Sequence, residues 1–291
     1  MLIRIGYDIA FTLTNPSPII FLLHVHSSRE PTLVAAESFR IEPQLEVEDY
    51  RDVFGNHCGR VNAPAGSIRF LSQAIVRDSG EPDTFAPGAQ EAGLREIPTE
   101  NLCFILPSRY CEVDSELLDF AWTRFGAISP GWARVQAICD FVHEHIRFDY
   151  QSARANRTAL DAFKERVGVC RDFTHLAITL CRCLNIPARY VTGYLGDIGV
   201  PPVPDPMDFS AWFEVWLGSR WYSFDARHNQ RRIGRIAIAR GRDAVDVPIT
   251  MVFGCHRLER FIVVTEELKA NEKVNPRMRP SHLREPIMET K

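Results

Sequence analysis

The chain has 291 residues, 45% of them hydrophobic and 24% charged, with a formal net charge of −3. That composition belongs to a globular protein long enough for two cores, and the slight negative charge argues for neither a nucleic-acid nor an anionic-membrane partner. Eight cysteines are scattered through apolar segments with no CxxC pair, so they read as reduced thiols rather than as a disulfide framework.

The N-terminal apolar runs are broken by Asp8, Asn15, Pro16 and Pro18, which fits two strands and a turn better than a secretory signal. No apolar stretch approaches the roughly 20 residues of a membrane span, and a cytoplasmic location is expected from these absences. Residues 1–107 are expected to form an all-β sandwich. Strand-like runs (LIRIGYDIAFTL, IIFLLHVHS, QLEVEDY, SIRFLSQAIV) alternate with the turn clusters NPSP, FGNHCG and NAPAG. His24 and His26, two apart on one predicted strand, share a face. That spacing would permit a shared metal, although an ordinary strand face is the simpler account.

Past residue 107 the pattern turns helical. Segments 114–125 and 130–148 have helical apolar spacing, with Val135, Ile138, Phe141, Val142 and Ile146 on the second. TALDAFKERVG is a short helix in which Thr158 and Asp161 form a capping pair and Gly168 follows the last turn. A further helix begins near Cys170, carries the core stripe Phe173, Leu176, Ala177, Leu180 and Leu184, and ends at Asn185-Ile-Pro187. The strand-like segments ARYVTGYL, SAWFEVWL, RWYSFD, RIAIA and RFIVVTEEL follow. Helices first and antiparallel strands afterwards make an α+β second domain over 108–265, with a polar tail over 266–291.

Cys170 is the residue with most chemical promise. At a helix N-terminus the backbone N–H groups and the dipole favour a thiolate. Gly168 just before it would let the chain turn sharply and leave room for a substrate, and Arg171 and Asp172 keep the first turn polar. His175 is five residues on, a rotation of about 140° and a rise of about 7.5 Å, so it reads as a structural histidine. The base must come from elsewhere in the fold.

The stretch DFSAWFEVWLGSRWYSFDARHN reads as a hairpin with Gly218-Ser219 at the turn. In a two-residue loop Leu217 faces Arg220, Trp212 faces Asp225 and Ser210 faces Arg227. Ser210 and Asp225 are then diagonal neighbours about 7–8 Å apart. A histidine at 210 would reach the carboxylate; a serine is too short. Trp212, Trp216 and Trp221 cover the hairpin, and Trp212 and Trp221 are also placed to wall a cleft. The arginines at 227, 231, 232, 235, 240 and 242 have the spacing of solvent-facing residues.

GVCRDFTHLAITLCRCLNIPARYVTGY followed by SAWFEVWLGSRWYSFDA strongly resembles the bacterial transglutaminase-like superfamily of cysteine proteases. The β-rich segment with DVFGN and the connector ending LPSRY resemble that family's N-terminal sandwich domain, so the likeness covers roughly residues 1–255. It implies a papain-like core in which a nucleophilic cysteine opens a helix packed on an antiparallel sheet, and a strand histidine and the next strand's aspartate complete the triad. Cys170 and Asp225 match the nucleophile and the orienting acid. The family's histidine, which precedes Ala-Trp, is Ser210 here.

Three readings of that departure stand open. His228, three residues past Asp225, swings back as a displaced base if the chain bends there. Alternatively, Ser210 binds water or substrate and the chemistry is altered. In the third, the cleft only binds, with Arg227 filling the space of the missing imidazole and pairing with Asp225. The resemblance implies a thiol-dependent hydrolase or acyl-transferase acting on peptide or isopeptide bonds of a peptide or protein substrate, and the alternative is a binding or scaffold protein on the same fold. No metal or organic cofactor is implied, no nucleic-acid or membrane partner is expected, and the sequence assigns no oligomeric state.

Overall fold

The computed structural model describes residues 1–203 and 207–269. Its first six strands are β1 (Leu2–Leu13), β2 (Ser17–Phe21), β3 (Arg40–Glu42), β4 (Glu48–Arg51), β5 (His57–Ala63) and β6 (Gly66–Arg77). Four helices follow, α1 (Leu117–Phe125), α2 (Trp132–His145), α3 (Ala159–Glu165) and α4 (Cys170–Cys183), with short strands β7 (Arg147–Phe148) and β8 (Val167–Gly168) on either side of α3. The rest is β9 (Ala188–Tyr194), β10 (Ser210–Leu217), β11 (Arg220–Phe224), β12 (Ile236–Gly241), β13 (Thr250–Val252) and β14 (His256–Glu267).

Two four-stranded sheets, ordered β14-β1-β6-β3 and β13-β2-β5-β4, form the sandwich, and a third, β11-β10-β9-β12, carries the helices. The α+β expectation and the β-sandwich followed by a helix-on-sheet core both hold. The alternation of apolar and polar residues places β1 and β6 in register from Leu2↔Arg77 to Leu13↔Gly66, which buries Ile3, Ile5, Ile9, Ile68, Phe70 and Val76 on one face.

The chain's return is where the sequence division differs from the sheets. β14 pairs along the whole of β1, from Ile3↔Glu267 to Leu13↔His256, and β13 pairs with β2. Residues 250–267 therefore complete the sandwich rather than extend the second sheet, and 266–267 continue a strand rather than open a tail. From residue 270 on, the expected tail lies outside the described residues. Strand pairing depends on partners far away in sequence, and no local pattern in RFIVVTEEL names β1 as its neighbour.

Two local readings also shift. IIFLLHVHS is strand only to Phe21, so His24 and His26 do not share a strand face. Their rings diverge: His24 Nδ1 meets Glu37 Oε2 at 3.0 Å, and His26 Nδ1 meets Ser28 Oγ at 2.9 Å. At the end of α3 it is Arg166, at φ 55°, that takes the left-handed cap position, while Gly168 lies in β8. The Thr158/Asp161 capping box forms as expected, with both reciprocal bonds present.

α4 is buried from Asp172 to Cys183. One side packs on β9 and β10, and α1, α2 and α3 cover the rest. Two of its buried polar residues find backbone partners within this enclosure: Thr179 donates to the His175 carbonyl at 2.8 Å, and Arg182 donates to the carbonyls of Leu106, Ala188 and Arg242. Among the described residues no helix is long and apolar enough to cross a membrane. The cysteines are all free.

Candidate active site

Cys170 is the first residue of α4, and the helix start is fixed by Asp172. The Asp172 carboxylate accepts the Val169 N–H at 2.9 Å and pairs with the Arg157 guanidinium at 2.9 Å, both in the interior. A Cβ on Gly168 would sit 2.6 Å from Asp172 Oδ2. The glycine thus admits the capping carboxylate, and the space before Cys170 is filled by protein rather than left for substrate.

The Cys170 side chain packs at the edge of the core, where the backbone N–H of Ala211 at the head of β10 lies against the sulfur. Burial pushes the thiol up to about 11; the Arg227 guanidinium and the Ala211 N–H pull the other way, and the charges of Asp208 and Asp225 add to the rise. Desolvation therefore outweighs the helix terminus, contrary to the sequence expectation of a favoured thiolate.

The hairpin has the register read from the sequence, Leu217↔Arg220 through Phe213↔Phe224, with Gly218 at φ 62° in the turn. Directly beyond Phe224 the strand ends. Asp225 Oδ1 accepts the N–H groups of Arg227 (3.1 Å) and His228 (3.0 Å), Asn229 N–H closes onto the Asp225 carbonyl at 2.8 Å, and Asn229 itself adopts φ 48°. This tight turn brings His228 back onto Asp225, Nδ1 to Oδ2 at 2.9 Å. α2 braces the turn from outside. His143 Nδ1 donates to the Arg227 carbonyl at 2.8 Å, and Gln136 and Asp140 hold the Asn229 amide at 2.9 and 2.8 Å.

A second donor, a cationic one, reaches the same carboxylate. Arg235 donates to Asp225 Oδ2 at 2.9 Å and to Asp83 Oδ2 at 2.8 Å, with its guanidinium 5.1 Å from the Trp212 ring centre. Burial alone would raise the Asp225 carboxyl, but Arg235 and then His228 hold it well below the usual carboxylate range. Arg227 does not fill the space at Asp225: its guanidinium lies 3.8 Å from the centre of the Phe148 ring.

The solvent-facing reading of the arginine run fails for Arg232, Arg235 and Arg240, each turned inward onto a carboxylate: Asp197, Asp83 with Asp225, and Glu214 respectively. Charge pairing compensates their burial. Trp212 is buried beneath Arg235, and Trp221 packs between Arg189 and Phe104, so these rings cover the sheet rather than line an open groove.

Of the four candidate residues, Asp225 and His228 are joined directly. Cys170 lies against Ala211 at the head of β10, and Ser210, the residue before it, has its Oγ buried with no hydrogen-bond partner among the described residues. No hydrogen bond joins His228 to Cys170, and His228 Nε2 has no partner among the described residues. His175 is fully buried, accepts the Ala244 N–H at Nε2 and stacks on Tyr110, the structural role expected of it. Sequence reasoning passed over Arg235, Asp83 and the brace on α2. Only the brace had a local signal, since Gln136, Asp140 and His143 recur at i, i+4 and i+7 on one polar stripe. A cleft of ≈ 400 Å³ opens beside Asp225, with Phe85 and Trp132 as apolar walls and Gln136, Asn229 and Arg231 at its polar edge.

The sequence profile of the transglutaminase-like superfamily matches residues 124–226, from the end of α1 to the residue after Asp225. The crystal structure of a candidate cysteine protease from Cytophaga hutchinsonii superposes with a TM-score of 0.78 at 30% identity, over 94% of this chain and 92% of that one. The chain belongs to the transglutaminase-like superfamily. An uncharacterised Mycobacterium leprae protein is 34% identical over 113 residues, 38% of this chain and 40% of the relative. Another, from Mycobacterium bovis, is 28% identical over 220 residues, 68% of this chain and 69% of the relative. This transglutaminase-like chain thus spans about two-fifths of the first mycobacterial relative and about two-thirds of the second. His228 and Arg235 both lie past the end of the profile match.

Proposed function

We propose that this protein is a thiol-dependent hydrolase or acyl-transferase acting on peptide or isopeptide amide bonds of a peptide or protein substrate. Cys170 is the nucleophile, and His228, oriented by Asp225, is the base. The observation that carries this reading is the 2.9 Å bond from His228 Nδ1 to Asp225 Oδ2, which fixes the ring and leaves Nε2 available for a proton.

With the free thiol near 11, Cys170 does not start as a stable thiolate. Its proton passes to His228 Nε2 as the sulfur attacks the substrate carbonyl, once substrate has brought the two together. The N–H of Ala211 and the first-turn amides of α4 offer donors to the oxyanion. Collapse of the tetrahedral intermediate breaks the C–N bond, the imidazolium returns the proton to the departing amine, and a Cys170 thioester remains. Water or a second amine then takes the acyl group. The cleft at Asp225, apolar on two walls and polar at its edge, suits a substrate side chain.

A second reading, a binding or scaffold protein that has lost turnover, draws on the raised Cys170 thiol and on Ser210 at the family's histidine position. Casein tested for hydrolysis and for incorporation of a fluorescent primary amine separates the two. For the enzyme, product formation is lost in Cys170→Ala and falls about 10²–10⁴-fold in His228→Ala, and Ser210→His raises the rate. No Cys170-dependent product, together with an iodoacetamide profile for Cys170 that rises only near pH 11 in both wild type and His228→Ala, would establish the scaffold reading.

A further inference from the structure

Far along the chain from Cys170, one edge of the sandwich gathers a second set of polar groups. Asp49 lies on β4, His57 opens β5, and His24 sits in the segment that follows β2. Their ligating atoms all lie within 4.8 Å of one another.

Three features distinguish this cluster from a solvated strand face. His24 is buried, and its Nδ1 is held by Glu37 Oε2 at 3.0 Å, while Glu37 Oε1 is fixed in turn by the Val25 N–H at 3.1 Å. Donation from Nδ1–H to that carboxylate leaves the lone pair on Nε2. His24 Nε2 is itself buried with no hydrogen-bond partner among the described residues, an acceptor withdrawn from water. The Glu37–His24 pair is the carboxylate–imidazole arrangement that orients a metal ligand and raises its basicity. The third feature is the neighbouring pair: His57 Nε2 meets Asp49 Oδ1 at 3.1 Å on the partly exposed side, where an ion can enter.

We infer that His24 Nε2, His57 Nε2 and Asp49 Oδ1 form a binding site for a divalent transition ion of the zinc type, with Glu37 as the supporting carboxylate. Two imidazoles and one carboxylate are a borderline donor set that suits Zn(II), and water completes a tetrahedron. Ligand atoms around zinc at about 2.0–2.2 Å stand roughly 3.3 Å apart, so the cluster closes slightly on binding. The His24 and His57 rings now stack with centroids 4.2 Å apart at 19°. His57, the more exposed of the two, turns to bring both lone pairs onto one ion. The hydrogen bond from His57 to Asp49 is replaced by two metal bonds, and the neutral His57 ring changes tautomer, its proton moving through solvent from Nε2 to Nδ1 so that the Nε2 lone pair faces the ion. The bound ion clips β4, β5 and the segment after β2 together, a structural role at the sandwich edge separate from Cys170.

The full chain, stripped of metal with a chelator, is titrated with Zn(II) in competition with a chromophoric chelator, and with Co(II) for its d–d spectrum. One ion per chain is expected, with the intense visible bands of a tetrahedral site and no thiolate-to-cobalt charge transfer. His57→Ala and Asp49→Asn, both at the edge of the sheet, should each weaken binding by at least about 100-fold with an unchanged circular dichroism spectrum. Glu37→Gln should weaken it by about 10–100-fold. Overturning results are the absence of stoichiometric binding, Zn(II) affinity unchanged in both edge variants, or a cobalt–thiolate band that assigns the ion to the cysteines.

Discussion

At Asp225, one carboxylate oxygen accepts from two side-chain donors, His228 Nδ1 and Arg235 Nη2, each at 2.9 Å. The arginine sets the charge and the turn sets the position: Arg235 keeps Asp225 ionised, so that it can orient whatever imidazole is offered. Arg235→Met is expected to cost about 3–5 kcal/mol near neutral pH, because it strips a buried carboxylate of its main partner. The Asp225 carboxyl lies below its unfolded value, so its contribution to stability is full above about pH 4 and is lost as pH falls through the native value. The penalty of Arg235→Met should therefore shrink on acidification, since a protonated Asp225 no longer needs the guanidinium. Urea unfolding near pH 7 and near pH 4 measures this, and a pH-independent penalty would assign the loss to packing instead. Asp225 was legible through the hairpin register, and His228 through its nearness in sequence. Arg235 was not: an arginine in an arginine-rich run looks solvated until Asp83, from a loop some 150 residues earlier, is seen to enclose it.

The helix α4 shows how an element can be correctly recognised and still be misjudged in its surroundings. Its apolar stripe predicted one buried face, but Thr174, His175, Thr179 and Arg182 are buried as well, because α1, α2 and α3 close over the side away from the sheet. The N-terminal end is specified by a fit of two or three atoms. Asp172 takes the Val169 N–H and the Arg157 guanidinium, and only a glycine at 168 leaves it room. Gly168→Ala would bring the new Cβ to 2.6 Å from Asp172 Oδ2 and 2.7 Å from its Cβ. A loss of about 1–3 kcal/mol is expected, the range for overpacking a filled site, with Cys170 displaced at the helix head. Denaturant midpoints and the Cys170 alkylation rate test both effects, and a variant matching wild type in each would mean that Asp172 yields freely.

On the scale of the molecule, the sandwich and the helix-bearing sheet are tied by the chain's return and by polar contacts at their junction. Asn56, at the end of DVFGN, is fully buried and bonds both backbone groups of Arg240, accepting from its N–H at 2.8 Å and donating to its carbonyl at 2.7 Å. Phe209, just before β10, meets rings of Tyr7 and Phe261 in β1 and β14. A chain ending after residue 249 would lose β13 and β14, leaving all of β1 with an unpaired edge and uncovering its packing partners. Such a chain is expected to lose cooperative thermal unfolding and to aggregate. Retention of the wild-type melting transition would show that the first six strands stand without their C-terminal partners.

Sequence alone determined what depends on neighbours a few residues apart. The twofold alternation placed the long strands, the capping box started α3, Gly218-Ser219 fixed the hairpin register, and the segments around Cys170 and Asp225 carried the family likeness. Tertiary structure decided what depends on enclosure. It joined β14 to β1, turned three arginines inward onto carboxylates, and raised the Cys170 thiol by desolvation in spite of its helix terminus. It also set His24 Nε2 into the interior, with no hydrogen-bond partner among the described residues. The physical division is one of range: dihedral preferences and side-chain periodicity are written locally, whereas burial and charge compensation exist only once distant segments have met.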